Sequence, residues 1–266
     1  MLMTAFVRAL FVILLITFTV LADDNNKYFH EPAEDDLHRH YDARYFTGLV
    51  TDEERQITLR AMIRAYLLLF RNFQLETWIA HGTLLGWYWN AKILPWDWDL
   101  DAQVTNTTLA TLAQKHNHTY WDFRSHELNI TRQYLLDINP WFWERVRGDG
   151  ANIIDGRFID LSNGLFLDIT GLAANDVNNT NVVECKNEHR YNLSDIFPLR
   201  KSTFEGASAK VPYAYAQVLA DEYTSQALTQ NRFHNHTFDT SRGEWLLTAD
   251  DVEDSEEVAP EGGAFS

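Results

Sequence analysis

The sequence predicts an α+β domain in which helices flank a mostly antiparallel or mixed sheet. Three observations carry that expectation. One long segment repeats its apolar residues at helical spacing, and several short segments alternate apolar with polar residues. The two kinds of segment are interleaved along the chain, with no internal repeat.

Taken in order, Thr51-Asp52-Glu53-Glu54 reads as a capping box. Leu59, Met62, Ile63, Tyr66, Leu67, Phe70 and Phe73 follow on one helical face, so a helix is expected over 51–74. Thr77-Trp78-Ile79-Ala80 reads as a short strand, Gly82 breaks it, and a short helix follows over Leu84 to Asn90. After Pro95, the run Asp97 to Val104 alternates strictly and is expected to be a strand. Trp98, Leu100, Ala102 and Val104 share one face, and Asp97, Asp99, Asp101 and Gln103 share the other. A helix is expected near 105–116. Later strands are expected at Tyr134 to Ile138, Arg157 to Leu161 and Leu165 to Thr170, with Asn163-Gly164 as a hairpin turn. Pro212 stands where a final helix, 213–228, would begin.

The chain has 266 residues, enough for one domain with a sizeable core, and its 9 Trp, 11 Tyr and 16 Phe argue against general disorder. A net charge of −16 argues against a nucleic-acid partner, which calls for a basic surface. One cysteine excludes an intrachain disulfide framework and a Cys-based zinc site, and Cys185 reads as a small buried hydrophobe.

The charge gathers at the ends. Residues 23–36 carry a net −5 and residues 250–266 a net −7, and both are expected to be acidic flexible tails around a domain at 37–249. Ahead of them, residues 1–22 hold Arg8, an uncharged run from Ala9, and Ala22 at a cleavage-like position. This is the layout of a signal peptide, with an uncleaved signal anchor in the membrane as the alternative. Six sequons, at Asn106, Asn117, Asn129, Asn178, Asn192 and Asn235, agree with a glycosylated protein of the secretory lumen, Golgi or ER, or a secreted one.

The chemistry concentrates between His81 and Gln103. Carboxylates two apart on one strand face lie roughly 6.6 Å apart along it and raise one another's pKa unless a positive charge neutralises them. Asp97, Asp99 and Asp101 therefore point to a hard divalent cation, Mg²⁺ or Mn²⁺. Just upstream, a strand runs through Gly82-Thr83 into a helix, whose exposed amides and Thr hydroxyl can hold a phosphate. The combination predicts a nucleotidyltransferase-type site. Asp137, Asp155, Asp160 and Asp168 are candidates for a further carboxylate from another strand. Asp168 is favoured because Leu165, Leu167 and Ile169 alternate around it, whereas Asp155 and Asp160 can cap turns.

The run HGTLLGWYWNAKILPWDWDLD resembles the signature of the LicD/fukutin-related phosphotransferases. Further segments, among them His40-Tyr41-Asp42, Phe166 to Thr170 and Ile196 to Arg200, are similar to the fungal branch linked to mannosylphosphate transfer. The resemblance covers most of 37–228. It implies a metal-dependent phosphotransferase that moves a phospho-sugar or phospho-alcohol from a nucleotide donor, GDP-mannose by analogy, to a hydroxyl of a glycan such as cell-wall mannan. It implies donor phosphate contacts at Gly82, Thr83 and Gly86. It also implies metal ligands among the three Asp, with Asp99 and Asp101 favoured and Asp97 as support or base. One departure is Trp89, where many members carry an Arg; Arg200 and Lys201 are the candidate replacements on the donor phosphate. His81 is a candidate donor contact or a structural histidine, and Trp87-Tyr88-Trp89 a stacking surface or core. Two other functions stay open: a glycosyltransferase using Asp-x-Asp, and a non-catalytic accessory or regulatory subunit of a mannosylphosphate transferase.

Overall fold

The computed structural model describes residues 26–174 and 180–248. The leader at 1–22, the acidic end at 250–266 and Asn178 lie outside the described residues.

The long helix α1 (Asp52–Phe73) begins where Thr51 accepts the Glu54 amide and ends where Gln74 turns left-handed. Leu59, Met62, Ile63, Tyr66 and Phe70 on its inner face are buried. A short strand β1 (Trp78–Ile79) leads into α2 (His81–Asn90), then β2 (Leu100–Thr105) and α3 (Asn106–Lys115). Next come β3 (Thr119–Ser125), β4 (Ile130–Ile138), β5 (Gly156–Asp160) and β6 (Phe166–Leu172). These six strands form one sheet in the order β1-β2-β6-β5-β4-β3. Every pair is antiparallel except β2 with β6, so the sheet is mixed, as expected. The hairpin between β5 and β6 turns at Gly164, whose φ of +87° favours glycine. A Cβ there would also sit 2.9 Å from the Phe46 amide nitrogen.

Three smaller sheets follow the main one along the described chain. Strands β7 (Val182–Glu184) and β8 (Arg190–Asn192) pair, α4 (Leu193–Ile196) follows, and β9 (Arg200–Phe204) and β10 (Ala207–Val211) form a hairpin. Then α5 (Tyr215–Tyr223) leads through a short 3₁₀ turn, Ser225–Leu228, to a three-stranded sheet: β11 (Arg232–Phe233), β12 (His236–Asp239) and β13 (Glu244–Leu247). The helix expected over 213–228 is thus split, because Thr224 takes φ 69° and ψ 157°, which no helix accommodates.

Two expectations need correction. The strand expected from Asp97 starts only at Leu100, and Asp97 and Asp99 sit on the preceding turn. The cause lies on α1. The buried Arg55 guanidinium donates to the carbonyls of Pro95 and Asp97 and lies 4.5 Å from the Trp98 ring centroid. Residues 95–98 therefore bond to a side chain instead of a strand neighbour.

The acidic segment expected to be loose is packed over its described part, 26–36. Phe29 is 3% exposed, Tyr28 donates to Asp137, and Glu31 pairs with both Lys27 and Arg157. What anchors it is long-range: Arg157 on Glu31 and Asp137 on Tyr28 lie more than a hundred residues away, while Asp35 and Asp36 pair locally with His38 and Arg39. Cys185 is buried as expected, its thiol pushed up by that burial, with Sγ 3.5 Å from His189 Nδ1. Asn106, Asn117, Asn129, Asn192 and Asn235 are all exposed.

Candidate functional site

The site is built where the β1–α2 turn is clipped to the start of β2. The Ala80 amide donates to the Asp101 carbonyl at 3.1 Å, and the Asp101 amide donates to the Thr83 hydroxyl at 2.8 Å. His81 makes the sharp turn with φ +49°, a strained value for a residue with a side chain. Gly82 follows it, and a Cβ there would stand 3.2 Å from Asp97 Oδ2. The glycine thus leaves room for the carboxylate to approach the start of α2.

Asp97 and Asp99 lie close enough for each to shift the other's pKa. Asp101 stands directly opposite Asp168 across the parallel β2/β6 pair. This one register point brings the favoured further carboxylate to the other three. Burial pushes the Asp97 carboxyl well up, and the neighbouring Asp99 charge adds to it. Burial does the same at Asp101, helped by Asp99, Asp168, Asp97 and Glu222. Asp168 rises to about 6, chiefly through burial and against the pull of Arg157, whose Nε lies 3.0 Å from its Oδ1. Burial would also raise Asp99, but His40 and Asp97 outweigh it and hold Asp99 below the usual range. His40 Nδ1 lies 3.7 Å from Asp99 Oδ2, and its ring stacks on Trp98.

The other candidate carboxylates are occupied. Asp137 takes Arg44, the Tyr28 hydroxyl and His118. Asp155 takes Arg145, Lys186 and the Gly171 amide. Asp160 accepts the Ser162 amide and hydroxyl, the turn-capping role its sequence position allowed.

Two cavities meet at this cluster, and Asp99 is the one side chain lining both. One, of about 480 Å³, is walled by Gly82, Asp97, Asp101, Trp89, Trp96 and Trp245, with Tyr223 and Phe233 at its edge. The other, of about 410 Å³, lies against the N-terminal segment and includes Asp168, Arg157, His40, Lys27, Glu31 and Arg39.

Several expected phosphate contacts turn out differently. The Thr83 hydroxyl is buried and takes the Asp101 amide, so it acts as a strut. At Gly86 a Cβ would fall 2.5 Å from the Lys92 carbonyl oxygen, so this glycine serves close packing of α2 on the following loop. Arg200 and Lys201 lie on β9 and line neither cavity; Arg200 rests over Tyr213 at 4.5 Å. Trp87 donates to Ser202, whereas Trp89 faces the aromatic cavity.

Sequence reasoning missed a polar network beside the cluster. Glu222 accepts the Tyr191 hydroxyl at 2.6 Å and lies 3.0 Å from His81 Nδ1, while Gln103 reaches both His81 and Tyr191. Glu222 lies on α5 far along the chain, and no local pattern points to it. The strained φ of His81 follows from the same turn.

The donor set fits a hard dication in chemistry and charge: it is made of partly buried aspartate oxygens, and Asp97 and Asp101 are pushed upward by burial and by neighbouring carboxylates. Among the described residues, however, no three His, Cys, Asp or Glu side chains already stand arranged to hold a metal ion. Holding one would require side-chain rotation about Asp99, Asp101 and Asp168.

The sequence matches the family model described as LicD/FKTN/FKRP, nucleotidyltransferase domain, over residues 74–214. It is 38% identical over 142 residues to Mannosyltransferase regulator 4 of Saccharomyces cerevisiae, covering 51% of this chain and 12% of that protein. It is 34% identical over 157 residues to Mannosyltransferase regulator 14 of the same yeast, covering 55% and 16%. The aligned part of the chain thus spans less than a fifth of either relative's length.

Proposed function

The chain belongs to the LicD/FKTN/FKRP nucleotidyltransferase-domain family, and from that premise we propose that it moves a phospho-sugar or phospho-alcohol from a nucleotide donor to a glycan hydroxyl. The observation that supports this best is the convergence of Asp97, Asp99, Asp101 and Asp168 beside the glycine turn. Asp99, Asp101 and Asp168 would hold Mg²⁺ or Mn²⁺, which would supply neutralisation of the donor phosphate charge. The protein's own groups do the rest. Amides at the start of α2 beside Gly82 face the donor phosphate. Trp89 and Trp96 offer faces on which the donor base can stack. A carboxylate of the cluster accepts the proton of the attacking hydroxyl, and Asp97 supports the cluster from beside Gly82 on the donor side. The names of the relatives favour a mannose headgroup, with GDP-mannose as donor and mannan as acceptor. The leader and sequons favour work in the Golgi or ER lumen.

The test is a screen of nucleotide donors with Mn²⁺. Phosphotransfer releases a nucleoside monophosphate, and glycosyl transfer from a GDP-sugar releases the diphosphate. Asp99→Ala or Asp101→Ala should abolish monophosphate release in a protein that still folds, and full activity in either would sink the reading.

A second reading, a non-catalytic regulatory subunit of a mannosylphosphate transferase, is favoured by the word regulator in both relatives' names. Under it, Mn²⁺ and GDP-mannose give no binding heat, and Asp99→Ala stimulates a partner transferase as well as the unaltered protein does.

A further inference from the structure

We propose that the cavity beneath the N-terminal segment is the acceptor subsite and takes a neutral oligosaccharide, with the donor on the other side of Asp99. The inference rests on the donor reading above and adds to it the place and chemistry of the second substrate.

The first argument is geometric. Phosphoryl transfer sets the attacking and leaving oxygens roughly in line, on opposite sides of the phosphorus. A site for it therefore needs two chambers meeting at the reacting centre. Here two cavities share Asp99 and no other lining residue. The glycine turn opens onto the aromatic one, which leaves the other for the attacking hydroxyl.

The second argument is the chemistry of the walls. The acceptor-side cavity mixes Lys27, Arg39 and Arg157 with Glu31, Glu34, Asp99 and Asp168. An anionic ligand would meet four carboxylates there. A sugar hydroxyl both donates and accepts, so it can use the acids and the bases alike. Arg157 itself is held in this wall by Glu31, Asp168 and Asp42, which fixes its guanidinium at the cavity's edge.

The third argument is topological. The wall formed by residues 27–40 lies outside the family match at 74–214, yet it is tied to the sheet by Glu31 to Arg157 at 2.5 Å and by Tyr28 to Asp137 at 2.9 Å. Beyond it, Asn26, Trp141 and Asn152 line a neighbouring depression of about 260 Å³, with Trp143 exposed nearby. Exposed indole faces suit the apolar faces of further sugar rings, so the subsite is placed to receive an extended chain rather than one sugar.

The probes are mannotetraose and Mn²⁺–GDP, titrated calorimetrically into the full chain. Glu34 and Arg39 are exposed residues of the acceptor cavity, so their replacement leaves the core intact. The paired Glu34→Ala and Arg39→Ala variant should weaken mannotetraose by about tenfold or more, the order expected from losing hydrogen bonds to charged groups. Mn²⁺–GDP binding should stay within about twofold, a change below half a tenfold step. Gln226→Ala with Gln230→Ala, on the aromatic cavity, should show the reverse pattern. No mannotetraose binding by the unaltered chain overturns the proposal, as does undiminished binding by the first variant or competition between the two probes. If mannotetraose binds as expected and GDP does not bind at all, the donor reading fails while the acceptor cavity stands.

Discussion

The aspartates around this protein's sheet fall into two groups that differ in burial and in company. Asp42, Asp137, Asp155 and Asp160 are fully buried, and each is met by Arg, Lys, hydroxyl or amide donors. Asp97, Asp99, Asp101 and Asp168 are partly buried and crowd one another, with Arg157 on Asp168 and His40 near Asp99, and three of them are pushed upward in pKa. The first group satisfies the rule that buried charges are paired. The second gathers more negative charge than its cations balance, beside two cavities, which is the observation behind the proposed cation site. The difference teaches that burial and partners go together here: the fully buried acids are paired by the fold, and the crowded ones stay partly open beside the two cavities.

The largest expected effect tests the second group. Asp101→Ala should lower metal-dependent nucleotide release on the order of a thousandfold, the scale of losing several kcal/mol of charge stabilisation in the transition state. Its thermal midpoint should change little, and a change in midpoint matching the loss of activity would erase the distinction between the groups.

Asp155→Ala tests the first group. It deprives the buried Lys186, whose Nζ lies 3.0 Å from Asp155, of its carboxylate. Breaking a buried pair costs roughly 3–5 kcal/mol, readable as a lowered denaturation midpoint. A stability loss no larger than that of Asp101→Ala would contradict the pairing argument.

Solution pH sharpens the contrast. The folded Asp168 carboxyl sits at about 6, above its ordinary 3.8, so the fold favours its protonated form. Its contribution is fully present below the unfolded value and is lost as pH rises through about 6, worth up to ~3 kcal/mol. Asp97 and Asp101 shift in the same direction. Asp99 shifts downward, so its contribution is present above its unfolded value and fades only in more acidic solution. Chelator-treated protein should therefore lose stability between pH 4 and pH 7, and Mn²⁺ should restore it above pH 6. A flat stability profile with chelator would refute the mutual crowding of these acids.

The smallest effect is a gain. Asp101→Asn removes one of the mutually repelling charges while keeping the shape, and should raise metal-free stability at pH 7 by about 1 kcal/mol. A fall in midpoint would mean that Asp101 is already neutralised within the fold.

Much of this was legible along the chain. The capping box at Thr51 and the apolar spacing after it located α1, because cap and helical face are local patterns. Alternation located β4, β5 and β6 and placed Asp168 ahead of its rivals. The same rule overran at Asp97, because Arg55 from α1 takes the carbonyls that a strand would have used. The aromatic alternation of Thr119 to Ser125 was a readable signal for β3. Gly86 and Thr83 were read as ligand contacts because motif residues invite that reading. Only their neighbours, the Lys92 carbonyl and the Asp101 amide, show one to be packing and the other a strut.

The sequence by itself determined the α+β class, the family, and the turn and carboxylate run that define the site. Each is encoded in contiguous residues, where backbone preference and side-chain period act over a few positions. The tertiary structure alone decided the rest: the parallel register that sets Asp101 beside Asp168, the hold of Glu222 on His81, and the two cavities on either side of Asp99. These depend on pairings between residues tens to more than a hundred positions apart. Packing energy over the whole core selects such pairings, and no local stretch of sequence carries that energy.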